Sequence, residues 1–398
     1  GPLLGSCSLL LFFFFMRECT DEKGAREGTL LLLLSPIFLL ISASYLNQNS
    51  SFFLTLLGLL FFSLSIKRSN RLFPFLSGLF CGLAFFSRTT VVVFVLPMIV
   101  MMVLTKRKKA VQTIIFFLAG LIPALSIQLF HNLIYTGNIF QFGYALHGDH
   151  QLHHIGFGMG KGESTYGIAG HTPVKAIINL CYNAFSFSLH LFGWPLISLF
   201  FIPFALMRRK RTLWDIFAIT VIVVTIVFFA FYWFHGISPM GPKYYYGILP
   251  LLILLTVRGI KKTAVRPLVS ILVIFNIVCY IPYSLRIFHQ EWGTNNRCYH
   301  EIEKTSIHHA LVFIQNLPGT NEHEITINRH NYLSVAFRNE PILKQGSIIY
   351  AQDLGETQNM QLMREFGKRK PYVFKYYAGG KAWRLQPFVN HALETETK

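Results

Sequence analysis

Residues 72–109 read LFPFLSGLFCGLAFFSRTTVVVFVLPMIVMMVLTKRKK: sixteen apolar or small residues, the single charge Arg88, a second apolar run, then four cations in a row at Lys106–Lys109. Neither apolar run alternates with period two, and no carboxylate interrupts them, so they read as buried helices rather than half-exposed strands. Apolar run, boundary charge, apolar run and basic loop together describe a chain that crosses a bilayer and returns.

The same pattern extends outward over most of the 398 residues. Candidate spans fall at 1–16, 28–46, 51–66, 72–87, 90–105, 110–134, 190–207, 213–233, 244–257 and 265–285, about ten in all. The expected fold class is therefore a polytopic α-helical membrane protein. Charge density divides the chain: residues 1–285 hold 29 of the 54 Lys, Arg, Asp and Glu, and residues 286–398 hold 25 in less than half the length. The second stretch predicts a small water-exposed α/β domain, with helices at 304–316 and 356–367 and strands at 324–329, 332–337, 346–351 and 371–377.

A net charge of +18 would suggest nucleic acid in a soluble protein. Here the positive charge has a topological reading, and no nucleic-acid partner is expected. One set of loops carries eighteen cations, among them Lys106–Lys109 and Arg208–Arg211, while the alternate loops carry Arg88, Lys161 and Lys243. The positive-inside bias makes the basic loops cytoplasmic. It puts the loop at 135–172, the loop at 234–243 and the tail from 286 on the outer side. The six cysteines form no CxxC pair and do not identify a redox compartment.

Four places in the chain stand out for their chemistry. The loop His147-Gly-Asp-His150-Gln-Leu-His-His154 groups imidazoles with Asp149, ahead of a glycine-rich run at 156–162 and His171-Thr-Pro173. A divalent metal at His147, Asp149 and His150, proton-accepting histidines in a solvated loop, and contact with a sugar or phosphate are all open readings, since the spacing matches no zinc signature. A resident cofactor is not expected. Residues 174–190 form an amphipathic stretch, with Asn179, Asn183 and Ser186 opposite Ile177, Cys181 and Phe185, as in a helix lying on a leaflet. Finally, Arg88 and the segment His235–Tyr246 put one cation each at the outer boundary. Such charges are costly near lipid, and either snorkelling or anion binding explains them.

Ser35-Pro36 followed by Ser42-Ala-Ser-Tyr-Leu-Asn47, Gly78-Leu-Phe-Cys-Gly-Leu-Ala84 with Ser87-Arg88, Tyr135-Thr-Gly-Asn138, Phe192-Gly-Trp-Pro195 and Gly241-Pro-Lys-Tyr-Tyr-Tyr246 resemble bacterial GT-C membrane glycosyltransferases. The nearest branch contains protein O-mannosyltransferases and aminoarabinose transferases. The resemblance spans residues 1–285 and implies an enzyme of the bacterial cytoplasmic membrane with its C-terminal domain outside. It would move a sugar from a polyprenyl-phosphate donor to a glycan, lipid or protein acceptor by inverting attack. The family's acidic catalytic residue lies in its first outer loop, so here it is expected upstream of Gly1, with Asp149 as a second candidate. Where the family has Gly-Pro-Arg, this chain has Gly-Pro-Lys243, which keeps the charge and loses the bidentate fork. Arg88 and Lys243, with His235 and Tyr244 as orienting groups, are the implied phosphate-binding residues, and His147, His150 and His171 the implied substrate loop. A transporter or lipid flippase, and a non-catalytic relative that only binds lipid phosphate, are the alternative readings.

Overall fold

The structure is a computed structural model that describes residues 1–143, 155–158, 170–195, 197–207, 211–262, 266–289, 297–315, 335–377 and 382–388. It divides into two compact units, Gly1–Leu285 and Arg286–Lys398.

The first unit is helical. Its elements are α1 (Pro2–Cys19), α2 (Glu22–Leu33), α3 (Pro36–Ser42), α4 (Gln48–Lys67), α5 (Leu72–Ser87), α6 (Val92–Lys106), α7 (Ala110–Thr136), α8 (Pro173–His190), α9 (Phe201–Leu206), α10 (Leu213–Ala230), α11 (Leu249–Lys262), α12 (Arg266–Phe275) and α13 (Ile281–His289). By length and composition, five described stretches are able to cross a membrane: Pro2–Cys19, Gln48–Lys67, Thr89–Thr136, Leu213–Ala230 and Pro267–His289. The pair α2–α3, bent by 61°, makes a sixth if it crosses as one.

These five or six compare with the ten read from apolar runs, and the differences have local causes. Pro36 breaks the 28–46 run, because a proline cannot continue the helix hydrogen bonding of α2. The 190–207 run is not one helix: α8 stops at His190, turns follow, and α9 has only six residues. At 244–257 the first turns are 3₁₀ (Lys243–Ile248), and the α-helix begins at Leu249. Conversely, Thr89–Thr136 is a single 48-residue stretch by composition. At about 1.5 Å per residue it would reach roughly 72 Å, over twice the hydrocarbon thickness. Arg107, with φ 35°, breaks it into α6 and α7, as the two separate runs in the sequence predict.

The strongest helix pair in this unit is α5 with α7. Gly78 and Gly82 on α5 face Gly120 and Ala124 on α7. A Cβ at Gly78 would lie 1.9 Å from the Phe117 carbonyl oxygen, and one at Gly120 would lie 2.0 Å from that of Phe75. The Gly78-xxx-Gly82 spacing is thus a small-residue seam that lets two backbones touch where apolar side chains would gain nothing over lipid. Along α7 the seam continues as the buried polar residues Gln128 and Asn132.

α8 inverts the usual soluble pattern. Lys175, Asn179, Asn183 and Ser186 are buried, whereas Val174, Ile177, Tyr182 and Phe185 face outward. An outward apolar face suits a lipid environment, and the polar face is the one used to bind neighbouring protein.

The second unit holds α14 (Arg297–Thr305), β3 (Ala310–Ile314), β4 (Ile348–Gln352), the helix Glu356–Glu365, β5 (Lys370–Tyr377) and β6 (Ala382–Pro387). The sheet order is β4-β3-β5-β6, with β3 parallel to β4 and β5, and β6 antiparallel at the edge. Val312 and Phe374 pack on one face with Ile302 and Val335, and Leu311, Phe313 and Val373 pack on the other. The helix expected at 304–316 is therefore a helix ending at Thr305 followed by a central strand. Ala310-Leu-Val-Phe-Ile314 is buried on both faces, so it lacks the alternation that marks a half-exposed strand. The expected strand at 324–329 lies outside the described residues. So does the start of the one at 332–337, whose described part, from Val335, is a helical turn. The expected strands at 346–351 and 371–377 and the helix at 356–367 correspond to β4, β5 and Glu356–Glu365.

Candidate functional site

The tight α5–α7 seam brings the C-terminal end of α5, the N-terminal end of α4 and the last turns of α7 together. Arg88 caps α5 in an extended conformation (φ −152°, ψ 119°), its amide still bonded to Ala84. Asn47 bridges the ends of α4 and α5: its Nδ2 donates to the Ser87 carbonyl at 3.1 Å, and its Oδ1 accepts from Arg88 Nη1 at 3.4 Å. Ser50 and Ser87 hydroxyls add a 2.8 Å link. The guanidinium thus has a side-chain partner in Asn47.

It points at an aromatic wall. Arg88 Cζ lies 5.8 Å from the centroid of the Tyr244 ring, within cation–π range. Tyr244 stacks on Phe229 (5.6 Å, 5° between planes) and meets Tyr232 edge-on. The hairpin β1 (Ile237–Ser238) and β2 (Gly241–Pro242) holds it there. Gly236 has φ +71°, and a Cβ at that position would come within 2.2 Å of the Tyr244 ring, so only glycine permits this packing.

Arg88, Tyr244, Tyr232, Asn47, Gln128 and His131 are among the residues that line an open cleft of about 500 Å³, whose other walls include Phe86, Phe228 and Phe229. That volume is in the range of small-molecule sites, as is the mixture of apolar wall and a few convergent polar groups. Lining residues among those described include no carboxylate, and residues 28–148 contain no Asp or Glu at all. The electrostatics favour an anion. Burial lowers the pKa of Arg88, while the neighbouring Tyr244 and Tyr232 raise it again. An arginine keeps its charge regardless. Burial raises the Tyr244 phenol, against opposing effects of Tyr232 and Arg88, so it stays a neutral donor.

Of the expected phosphate-binding group, Arg88 and Tyr244 share this cleft, and Lys243 joins them in an adjoining narrow crevice lined also by Gln48 and Thr90. His235 is set apart. It lines a small cavity with Asn179 and Asn183, and its Nδ1 accepts from the Ile237 amide at 3.0 Å. Burial first, then the Lys243 charge, lowers its pKa. His235 therefore supports the hairpin rather than facing the cleft. His171 is also a fastener: it is buried, its Nε2 lies 2.9 Å from the Ala230 carbonyl oxygen, and Phe157 stacks on its ring. His147, Asp149 and His150 lie outside the described residues. Among the described residues no cluster of three or more His, Cys, Asp or Glu is placed to hold a metal.

Gln128, His131 and Tyr232 were not singled out in the sequence. A signal existed: Gln128, His131 and Asn132 are polar residues inside an otherwise apolar run, where each costs free energy unless it faces protein or water. Gln128 Nε2 donates to Asn132 Oδ1 at 2.7 Å, and Asn132 Nδ2 donates to the Ile139 carbonyl at 3.0 Å.

Neither the curated proteins nor the solved structures give a match to this chain. Residues 2–132, about a third of the chain, match the model of the family described as dolichyl-phosphate-mannose-protein mannosyltransferase. The matched stretch takes in α1 to α6 and most of α7, and thus supplies Asn47, Arg88, Gln128 and His131 of the cleft. With its apolar helices, the chain is an integral membrane protein that is mannosyltransferase-like over this stretch.

Proposed function

We propose that the protein is a membrane glycosyltransferase that takes a sugar from a polyprenyl-phosphate-linked donor and passes it to an acceptor on the extracytoplasmic side. The observation behind this reading is Arg88. Among the described residues it is the one Lys or Arg lining a 500 Å³ cleft that has no carboxylate among those residues, and it lies within the stretch that matches the mannosyltransferase family.

In this reading the donor phosphate meets Arg88, with Lys243 alongside and the Tyr244 hydroxyl as a neutral donor. When the bond between the anomeric carbon and the phosphate oxygen breaks, the phosphate gains negative charge. A fixed guanidinium in a partly desolvated cleft stabilises that charge more than water does. Phe86, Phe228 and Phe229 give the lipid portion an apolar wall. The acceptor hydroxyl must lose a proton to a general base, a role we leave to a carboxylate outside the described cleft residues, Asp149 being one candidate. His235 acts by supporting the hairpin that holds Lys243 and Tyr244.

The test is a transfer assay on the reconstituted protein with a panel of polyprenyl-phosphate sugars, comparing wild type with Arg88→Ala and Arg88→Lys. Loss of one oxyanion-stabilising donor costs about 10²–10³ in turnover, and lysine should recover only part of it. Transfer by Arg88→Ala at the wild-type rate would overturn the assignment. Saturable donor binding without transfer would favour the non-catalytic reading instead.

A further inference from the structure

The opposite end of α4–α7 carries a second charged cleft that the proposed transfer does not use. Arg68 and Arg71, between α4 and α5, Lys106, the last residue of α6, and Lys109, just before α7, line an opening of about 140 Å³ together with Asn70 and Gln112. α4 alone has 20 residues, about 30 Å of helix, between this opening and the Arg88 cleft.

Four cations converge there, and no carboxylate is paired with them among the described residues. α4–α7 contain no Asp or Glu to offer one. The neighbouring cation Lys67, by contrast, is paired with Glu18 at 2.9 Å. Both guanidinium groups are nonetheless held in place. Arg71 sits 5.6 Å over the Phe116 ring and lies beside the Gln112 amide, whose oxygen is the natural acceptor for its Nε and Nη2 protons. Arg68 sits 5.8 Å over Phe73. Lys106 Nζ reaches the Arg68 carbonyl at 3.5 Å. Holding four like charges together costs free energy that a bound anion would recover.

We propose that this cleft binds the phosphodiester headgroup of an anionic membrane lipid. The positive-inside bias assigns this end to the cytoplasmic leaflet, and a basic pocket between helices at the membrane boundary suits a lipid headgroup. Phe116, partly exposed beside the cations, adds an apolar edge to the opening. A free phosphate ion satisfies the same cations, and the experiment separates the two.

The full chain is placed in phosphatidylcholine nanodiscs with and without 10 mol% cardiolipin, and retained lipid is counted by native mass spectrometry. Each surface cation near a membrane is worth about a fivefold change in affinity, so Arg68→Gln/Arg71→Gln should lower cardiolipin retention about 25-fold, and Lys106→Gln/Lys109→Gln similarly. A control pair on other exposed cations, Arg17→Gln/Lys23→Gln, should change it much less. Arg68, Arg71 and Lys109 are exposed, so folding is checked by thermal melting in lipid-free detergent, where the variants should match wild type. Equal losses in the control pair would reduce the effect to bulk surface charge and overturn the proposal. Displacement of cardiolipin by inorganic phosphate at equal concentration would also overturn it, by making the site one for a free anion.

Discussion

Replacing Asp215 should be the most damaging single change in the first unit. Asp215 and Arg258 form a buried ion pair, with the side chains 1% and 6% exposed. Arg258 also donates to Thr212 Oγ1 at 2.6 Å and to the Cys19 carbonyl at 2.7 Å, and so ties α10 and α11 to the end of α1. Asp215 Oδ2 accepts from the Thr212 amide at 2.7 Å and completes the capping box that starts α10. In Asp215→Ala the guanidinium stays buried with only neutral acceptors, at a cost of about 3–5 kcal/mol. The Thr212 cap on the residue-215 amide survives the change, and only the reciprocal bond to the Thr212 amide is lost. A cost of about 3–5 kcal/mol lowers the folding equilibrium constant about 10²- to 10⁴-fold. Trp214, packed edge-on against Phe15, Phe62 and Phe217, gives a fluorescence signal beside the change. SDS titration in mixed micelles, followed at that signal, should show Asp215→Ala unfolding at much lower SDS fraction. Asp215→Leu/Arg258→Met, which removes both charges, should recover most of the loss. A single variant within about 1 kcal/mol of wild type, or a double variant no better than the single, would refute the idea that an unpaired buried charge sets the cost.

Other outcomes follow from the same packing. Gly120→Val forces a Cβ into the Phe75 carbonyl oxygen; overpacking of this kind costs about 1–3 kcal/mol, and both thermal stability in detergent and donor binding should fall, because α5 and α7 both carry residues that line the cleft. Tyr244→Phe should keep the packing on Phe229 and lower turnover by less than Arg88→Ala does, since it removes one neutral donor and leaves the cation; equal losses in the transfer assay would contradict this. Burial, and for His235 the Lys243 charge as well, holds the His235 and His190 pKa values below the ordinary imidazole value. The unfolded chain then binds more protons, so stability is complete above about pH 6.5 and declines as the pH falls through the folded values. His235→Asn should flatten part of that slope in a melting series from pH 7.5 to 5. In the second unit, Phe313→Ala empties the centre of β3 and should cost about 3–5 kcal/mol, read as faster hydrogen exchange of β3 amides in the intact chain.

Burial explains which parts of the molecule were legible from the residues alone. Helices over 72–87 and 213–230 were readable because a lipid-facing helix must be apolar over its whole length and close its own hydrogen bonds. The Arg107 break between α6 and α7 was readable because four cations cannot lie within an apolar span. The 190–207 run misled for the reverse reason: apolar residues stay apolar through a buried turn, and composition does not distinguish a turn from a helix. Arg258 shows the same blindness to partners. One of the eighteen cations assigned to the basic loops, it is a buried residue of α11 whose partner, Asp215, lies 43 positions earlier. Asn49, in the formal sequon Asn49-Ser-Ser51, is likewise buried, with its Nδ2 bonded to the Ile41 carbonyl at 2.6 Å. The sequence segment holding Arg88 and the one holding Tyr244 each looked unusual by itself.

Taken alone, the sequence determined that this chain lives in a membrane, which end of its helices is basic, and that its last 113 residues differ in kind from the rest. Those properties follow from composition and local periodicity, which need no partner. Only the tertiary structure decided that Arg88 and Tyr244 share one cleft with Gln128 and His131 while His235 and His171 serve as supports, and that α8 turns its polar face inward. Those outcomes depend on the glycine seam of α5 and α7 and on Gly236, where the absence of a side chain lets distant segments meet.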